Sequence, residues 1–323
     1  MAQPAHQTTS APDASAYGWI LLAYAVALLA AAALWLDLPL LVALQQSSVL
    51  EQAFIADVIA TLVIFGFSTA HQNASFYDAY WSVAPPILLA FFIGAERIGF
   101  GAEPIGEAPL FDTRLVVVSL LVGGWAIRLT HNWARGWQGL HHADWRYVDL
   151  QEKTGSLWWL VNLLGIHLFP TVLVFVGCIA LYVCANPLAA PFNLFDVLAL
   201  IVGGAALWLE NRADNQLRAF RLDPKNSGQT LTSGVWAWCR HPNYLGEIGF
   251  WVALYLFACG ATAQGSLAAF DWALWGPVSM LILFVFISIP MIDKRLAGRA
   301  GFNEHKAKTY ALLPFSHWLK SNS

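Results

Sequence analysis

Long apolar runs separated by short polar segments dominate the chain. A continuous apolar run of about 20 residues is long enough to cross a bilayer as a helix. Eight runs reach or approach this length, and they lie near residues 17–36, 50–67, 79–96, 113–133, 157–184, 194–212, 243–260 and 271–291. The pattern therefore predicts an all-α, polytopic transmembrane helix bundle with about seven to eight spans.

Two of these runs are weaker than the others, and the chain ends are polar. Glu51, Gln52 and Asp57 interrupt the second run, and the Pro85-Pro86 pair is expected to kink the third. Residues 1–16 contain no Lys or Arg, so no signal peptide is predicted there and a disordered tail is expected. A short C-terminal tail is expected over 317–323.

The basic residues are distributed asymmetrically along the chain. Of the 17 Lys and Arg, all but Arg97, Arg114 and Arg128 follow the fourth, sixth and eighth predicted spans. Basic residues accumulate in cytoplasmic loops. An even number of spans separates the three basic segments, so they share one face and both termini are predicted to be cytoplasmic. The segments 185–193 and 261–270 contain no Lys or Arg, as expected for the opposite face.

Composition supports an integral membrane protein. Of the 323 residues, 58% are hydrophobic and 11% are charged, against roughly a quarter charged in a soluble domain. The net charge of −3 and the lack of a long basic run argue against a nucleic-acid partner. The four cysteines form no CxxC pair and are interpreted as packing residues. Membrane lipids are therefore the expected surroundings.

A polar stripe continues the sixth span. Its members recur every three or four positions and so share one helical face: Glu210, Asp214, Arg218, Arg221 and Lys225. The stripe can be a solvated surface with i,i+4 ion pairs, each worth a few tenths of a kcal/mol. It can also be one wall of a polar pocket.

The stretch GVWAWCRHPNYLGEIGFW at 234–251 leads into the seventh span. Pro242 suits the first turn of a helix, and Asn243 and Glu247 then lie one turn apart on the same face. Ionisable residues at the mouth of a membrane helix usually face a cavity, because contact with lipid is unfavourable. Arginines opposite this Asn/Glu pair would make a pocket for a charged, soluble cofactor.

A third polar cluster lies in WAIRLTHNWARGWQGLHHADWRY at 125–147. Arg128 is near the end of the fourth span, whereas Asp144, Arg146 and Tyr147 are expected in the following loop. The His141-His142-x-Asp144 text is not interpreted as a metal site, because adjacent histidines rarely bind one ion and no fourth ligand is evident. No metal is predicted.

Four motifs together resemble a known family. They are WxxRL at 125–129, DWRY at 144–147, ExxxDxxLxxF at 210–220 and GVWAWCRHPNYLGE at 234–247, and FNEHKAKTYALLPF at 302–315 also fits. The chain resembles the steroid 5-alpha-reductase C-terminal-domain family (DUF1295), within the membrane sterol-reductase and isoprenylcysteine methyltransferase-like superfamily. The resemblance covers residues 78–316 as a reductase-like membrane domain, and leaves 17–77 as an N-terminal hairpin outside it.

The resemblance implies a cytoplasm-facing NADPH pocket in the C-terminal half of a helix bundle, without a Rossmann domain. The chain accordingly contains no GxGxxG or P-loop text. The residues that would line the cofactor site are Arg128, Glu210, Asp214, Arg218, Arg221, Trp236, Arg240, Asn243, Tyr244, Glu247, Arg295, His305 and Lys308. Arginines suit the phosphates, whereas Asn and Glu suit amide and ribose groups.

The implied activity is NADPH-dependent reduction of a conjugated C=C bond in a lipid, such as a steroid, polyprenyl or fatty enone. Tyr147, Tyr80 and Glu96 are the candidate acids, and His167 is more simply a core histidine bonded to a backbone carbonyl. The mammalian steroid reductases carry a substrate-contacting Tyr where Trp125 stands, so a steroid substrate is not assigned. Glu51, Asp57 and Glu96 are candidates for their acidic partner in an early helix.

Two other functions fit parts of the pattern. One is an S-adenosylmethionine-dependent methyltransferase acting on a lipid-linked substrate, since that branch carries a related RHPxY. Its members usually have a Glu-Glu pair near the C-terminal helix, where this chain reads MIDKRL. The other is a lipid-binding protein without catalysis. Cofactor preference distinguishes the methyltransferase from the reductase, and turnover distinguishes the reductase from the lipid-binding protein.

Overall fold

The described residues of the chain are mostly helical, with turns and short loops between the helices. The computed structural model describes residues 14–36, 41–99, 109–262 and 272–314. Within these ranges there is no β-strand, only an isolated parallel bridge between Gln229 and Ala300. The predicted all-α fold is therefore confirmed. Residues 14–16 of the predicted N-terminal tail over 1–16 are helical, so the end of that prediction is wrong. Residues 1–13, the predicted C-terminal tail over 317–323, and residues 263–270 of the predicted opposite-face segment lie outside the described ranges.

Among the described residues, eight helices are long and apolar enough to cross a membrane, and the chain is a multi-pass integral membrane protein. They are α1 (Ser15–Trp35), α2 (Val49–Ala70), α3 (Ala74–Ile98), α4 (Thr113–Ala134), α5 (Trp145–Ala185), α6 (Leu194–Leu222), α7 (Pro242–Ala261) and α8 (Trp272–Leu296). A short helix, α9 (Phe302–Lys308), follows α8. The predicted span count is thus confirmed.

Four of the spans contain turns of different geometry. α1 ends in a 3-10 turn at Ala33–Trp35. α3 opens with a 3-10 turn at Ala74–Tyr77 and ends in a π turn at Gly94–Ile98. Its α-helical part, Tyr80–Ile93, continues through Pro85 and Pro86. α5 contains a π turn at Asn162–Leu168, and α8 contains one at Phe284–Ser288.

The start of α5 differs from the sequence-based prediction. The span was expected from residue 157, with 144–147 in a loop, but the helix begins at Trp145. The side chain of Asp144 accepts a hydrogen bond from the backbone N–H of Arg146 at 2.9 Å, which caps the first turn. The first ten residues of α5 are polar, so an apolar-run criterion misses them. Tyr147 therefore lies on a helix.

Polar residues that interrupt the second apolar run stabilise the beginning of α2. Ser48 and Glu51 form a capping box, in which the Glu51 carboxylate accepts the Ser48 backbone N–H at 2.8 Å. Gln52 donates to the backbone carbonyl of Gln45 at 3.0 Å. α6 begins in the same way, with a capping box between Asn193 and Asp196. These side chains satisfy backbone groups that a bilayer would leave unpaired.

Contacts divide the described chain into two compact units. The first contains α1, α2, α3 as far as Phe91, and the chain from Ala126 to Phe175; the second contains the remainder. In the first unit α1 packs against α2 through small residues such as Ala27 and Ala60. Short side chains allow the close helix approach that membrane bundles favour.

The second unit is organised by the α6–α7 pair. A Cβ atom on Gly246 of α7 would lie 2.5 Å from Cγ of Glu210 and 2.9 Å from the carbonyl oxygen of Ala206, so the two helices approach too closely for any other residue. At the beginning of α6, Asp196 forms a bidentate ion pair with Arg114 of α4 at 2.7 and 2.8 Å. The beginning and the middle of α6 are therefore fixed.

The sidedness predicted from the basic residues can be tested with introduced thiols. All four native cysteines are buried, so they should be silent to a membrane-impermeant maleimide. We expect a cysteine at Asn303, in α9, to be protected in intact cells and labelled after lysis. A cysteine at Leu188, which is 71% exposed in the α5–α6 connection, should label from outside. Labelling of the Asn303 site in intact cells, with protection at Leu188, would reverse the predicted orientation.

Candidate functional site

The polar stripe of α6 is carried by an uninterrupted helix. α6 runs to Leu222, so Glu210, Asp214, Arg218 and Arg221 share one face, as their spacing predicted. Lys225, predicted on the same face, instead lies beyond the helix in the 3-10 turn Pro224–Asn226. Glu210 is buried, Asp214 and Arg218 are half-buried, and Arg221 is exposed. The stripe thus passes from the protein interior to the surface and is not uniformly solvated.

Arginines from three parts of the second unit converge at the end of this stripe. Arg221 lies within electrostatic reach of Arg295 in α8 and Arg299 before α9, and also of Asp214 and Tyr244. The sequence analysis named Arg295 but not Arg299. Like charges repel one another, so a multiply charged anion would stabilise this group, called here the arginine cluster. Guanidinium groups favour phosphates in particular.

The Asn243–Glu247 face of α7 is buried beside α6. Glu247 is 5% exposed, and each of its carboxylate oxygens accepts one indole N–H, from Trp125 at 3.1 Å and from Trp251 at 3.0 Å. Trp125 also stacks on Phe250, with ring centroids 4.5 Å apart. The sequence analysis did not foresee either tryptophan as a partner of Glu247. The two indoles hold the carboxylate in one orientation.

Asn243 has an unused hydrogen-bonding atom. Its side-chain oxygen Oδ1 is buried and accepts no hydrogen bond within the described part of the chain. A buried acceptor without a donor is unfavourable by about 1–3 kcal/mol, so such atoms usually mark a ligand or a water. An amide N–H or a hydroxyl fits this position.

Trp236 has a packing position. Its indole N–H donates to the backbone carbonyl of Ala213 at 3.1 Å, and its ring is buried with Leu209 and Val235. The preceding Gly234 has a φ of 64°, and a Cβ atom there would lie 2.4 Å from Oε1 of Gln216. The loop before α7 is therefore fixed against α6. The Trp236 indole N–H thus pairs with α6, whereas the family resemblance implied that Trp236 contacts a cofactor.

Arg240 is part of a buried charge cluster centred on Asp293 in α8. Asp293 accepts from Arg240 at 3.1 Å and lies 2.9 Å from Nε2 of His241 and 3.5 Å from Nζ of Lys306. Arg240 also donates to the backbone carbonyl of Thr309. The guanidinium thus joins the start of α7 to the segment after α9. Asp293 was not singled out from the sequence.

His305 and Lys308 line an open cleft beside α9. The cleft has a volume of about 550 Å³ and is also lined by Thr230 and Glu304. Burial and the nearby charge of Arg240 lower the pKa of His305 below its ordinary value, so the ring is neutral at pH 7. His305 Nε2 and Thr230 Oγ1 are both buried, and neither has a partner in the described chain. The cleft thus presents unused polar atoms.

Tyr80 lies in the first unit, at the wall of an apolar cavity. The cavity has a volume of about 230 Å³ and is formed by α1, α2 and α3, with Trp35 and Phe91 among its lining residues. The Tyr80 hydroxyl donates to Oδ1 of Asp57 at 2.6 Å. Oδ2 of Asp57 is buried and has no partner among the described residues. A hydroxyl and a carboxyl group therefore meet inside an otherwise apolar space.

The remaining candidate acids have other partners. Tyr147 donates to Asp78, close to Arg146, within the first unit. Glu96 is buried in the second unit and pairs with the hydroxyl of Tyr182. Arg128 belongs to the first unit, whereas the other twelve predicted cofactor residues belong to the second.

Two further positions from the sequence analysis are now placed. Nδ1 of His167 lies 2.9 Å from the backbone oxygen of Asn162, so the interpretation as a core histidine is confirmed. Within the described ranges, no three His, Cys, Asp or Glu side chains are grouped in a way that would hold a metal ion.

Comparisons with known proteins place the chain in a family. The model of the family described as "Protein of unknown function (DUF1295)" matches residues 64–309. A Schizosaccharomyces pombe (strain 972 / ATCC 24843) protein named "Uncharacterized protein C594.04c" is 25% identical over 282 residues, covering 79% of this chain and 78% of that protein. No solved structure matches the chain. The family match spans most of the chain, including all four of its internal motifs, and the protein is therefore a member of the DUF1295 family.

Proposed function

We propose that this protein is a membrane reductase that uses NADPH to reduce a conjugated C=C bond in a lipid. The observation that carries the proposal is the arginine cluster of Arg221, Arg295 and Arg299. It lies in the same unit as the unpaired Oδ1 of Asn243 and the oriented carboxylate of Glu247. The resemblance to the steroid 5-alpha-reductase family points to the same chemistry.

The residues present fit NADPH. Its pyrophosphate and 2′-phosphate carry the multiple negative charge that the arginine cluster requires. Its carboxamide carries the N–H that the buried Oδ1 of Asn243 lacks. Arg218, Arg221, Arg295 and Lys308 would hold the phosphates, and Asn243 and Glu247 would orient the carboxamide. When bound, NADPH supplies a hydride, and the protein must deliver the matching proton.

The arginine cluster also separates the reductase from the methyltransferase alternative. S-adenosylmethionine has no phosphate and carries a positively charged sulfonium. Arg221, with Arg295 and Arg299 both within its electrostatic reach, would repel that charge. The charge distribution therefore favours a phosphate-bearing cofactor.

Among the three candidate acids, Tyr80 is the best supported. An enone reductase needs a donor that polarises the carbonyl oxygen of a hydrophobic substrate. Tyr80 lines the apolar cavity, whereas neither Tyr147 nor Glu96 is among the residues that line it. The Tyr80 hydroxyl, which donates to Asp57 in the structure, would turn to donate to the substrate oxygen. Lipid in the cavity excludes water, which strengthens this hydrogen bond.

Removing Arg221 should weaken cofactor binding. Hydrogen bonds to charged groups contribute about 1.5–3 kcal/mol, so Arg221→Ala should raise the Kd for NADPH about ten- to a hundredfold. If Arg221 contacts the 2′-phosphate, the loss will be smaller for NADH. Titration calorimetry on the purified chain measures both. Arg212→Ala is the matched control, because Arg212 is exposed and lies on the opposite face of α6. If neither substitution changed the Kd for NADPH, the stripe would be a solvated surface and not a cofactor site.

Changes at Asn243 and Glu247 should impair turnover more than stability. In Glu247→Gln, one oxygen replaces two as acceptor for the indoles of Trp125 and Trp251, so the orientation of the side chain is lost. Displacing a reacting group by about 1 Å lowers the rate on the order of a hundredfold. We expect this loss in Glu247→Gln and Asn243→Ala, measured as lipid-enone-dependent NADPH oxidation.

Asn215→Ala, at an exposed asparagine of α6, is the control for these two variants. Thermal unfolding of each variant separates a catalytic effect from a folding defect. Wild-type turnover in both Asn243→Ala and Glu247→Gln would contradict the cofactor-binding role of this face.

Tyr80→Phe should abolish most turnover and leave NADPH affinity unchanged. General acid catalysis contributes about 10²–10⁴-fold, and phenylalanine preserves the ring while removing the proton. Tyr147→Phe is the matched control, expected to retain activity. If Tyr80→Phe retained activity and Tyr147→Phe lost it, the proton donor would be Tyr147, which is paired with Asp78.

If the wild type binds NADPH and lipid yet turns over none of a panel of steroid, polyprenyl and fatty enones, the lipid-binding alternative is favoured.

A further inference from the structure

A second cavity of the first unit differs from the Tyr80 cavity in its chemistry. It has a volume of about 310 Å³ and lies at the turn between α2 and α3, against the beginning of α5. Its lining includes Ser68, Gln72, Gln151, Trp158, Trp159 and Asn162. It shares no residue with the Tyr80 cavity or with the predicted cofactor site.

Two buried polar atoms in this cavity have no partner. Ser68 is 1% exposed and Asn162 is 4% exposed, and neither Oγ of Ser68 nor Oδ1 of Asn162 makes a hydrogen bond within the described part of the chain. Serine can donate or accept, whereas the amide oxygen can only accept. The hydroxyls of a ligand can serve both atoms, because a hydroxyl accepts from serine and donates to an amide oxygen.

The volume of the cavity is too large for a single bridging water. Water occupies about 30 Å³ in the liquid, so the space corresponds to roughly ten water molecules. No charged side chain is among the described lining residues, which disfavours an anionic or cationic ligand. Amide and hydroxyl groups beside two indole rings instead suit an uncharged ring with several hydroxyls, whose apolar face packs on an aromatic side chain.

The position of the cavity suggests where such a ligand comes from. Trp159 is exposed at the point where α5 changes from polar to apolar sequence. Tryptophans concentrate at this level of a membrane protein, beside the lipid headgroups. Gln72 and Gln151, both exposed, supply amides at the rim.

We propose that this cavity binds a neutral polyhydroxyl group, such as the sugar of a glycolipid headgroup. Ser68 and Asn162 would bind its hydroxyls in the interior, and Gln151 would do so at the rim. The site is distinct from the reductase chemistry, so its test does not depend on NADPH or on turnover.

The test uses the full chain in phosphatidylcholine nanodiscs. Monoglucosyl diacylglycerol, diacylglycerol, phosphatidylglycerol and free methyl glucoside are compared by thermal shift and native mass spectrometry. We expect the glucolipid to raise the melting temperature and to remain bound, while diacylglycerol and phosphatidylglycerol do neither. Equal binding of methyl glucoside would support the same site with a soluble sugar as its ligand.

Ser68→Ala and Asn162→Leu distinguish binding from folding. The native atoms lack protein partners, so their removal should not lower the melting temperature of the ligand-free protein. Each variant should nevertheless lose about tenfold in glucolipid affinity, the scale of one buried hydrogen bond. Gln151→Ala, at an exposed position, provides a third variant that keeps the core intact, and Asn215→Ala is the control. Glucolipid binding no stronger than that of diacylglycerol, or full binding by all three variants, would overturn the proposal.

Discussion

The buried carboxylate of Asp293 is the interaction on which the arrangement of the second unit depends. It is 7% exposed, and a charge in such a place is tolerated only when it is paired. Its partners come from two separate segments: Arg240 and His241 precede α7, and Lys306 lies in α9. Two backbone hydrogen bonds, from Arg240 to Tyr310 and from His241 to Ala311, strengthen the same junction. The rotation of α7 is thereby fixed, and with it the directions of Asn243 and Glu247.

The two units contain different polar groups. The second unit provides positive charge and an unpaired amide oxygen, which suit a polyanionic, carboxamide-bearing cofactor. The first unit provides a hydroxyl and a carboxyl group inside an apolar cavity, which suit the carbonyl of a lipid. Ordinary structural roles account for some residues that the family resemblance assigned to the cofactor: Trp236 packs beneath α6, and Arg240 neutralises Asp293. The proposal therefore depends mainly on the arginine cluster, Asn243 and Glu247.

The spans were predictable because they depend on local sequence. In a bilayer, a long apolar run satisfies its backbone hydrogen-bonding groups by forming a helix, and the eight spans were predicted on this basis. The stripe on α6 followed from helical spacing alone. The polar beginning of α5 was missed because hydropathy ignores capping, and only Asp144 before a helix-compatible stretch signals it.

Pairings between distant residues were not predictable from one sequence. Tyr80 and Asp57 were separate candidates, and only tertiary packing joins them. The indoles of Trp125 and Trp251 looked like membrane aromatics, although both donate to Glu247. Asp293 gave a weak signal: a lone acidic residue at the end of a span needs a cation, and the basic residues just before α7 and in α9 supply it.

The most direct test of the central claim is the cofactor preference of the unmodified protein. Titration calorimetry of the purified chain in lipid nanodiscs should compare NADPH, NADH and S-adenosylmethionine at one ionic strength. The arginine cluster predicts that NADPH binds most tightly, about tenfold more tightly than NADH if one guanidinium contacts the 2′-phosphate. S-adenosylmethionine should give no measurable heat of binding. Tight binding of S-adenosylmethionine, with none of NADPH, would contradict the account.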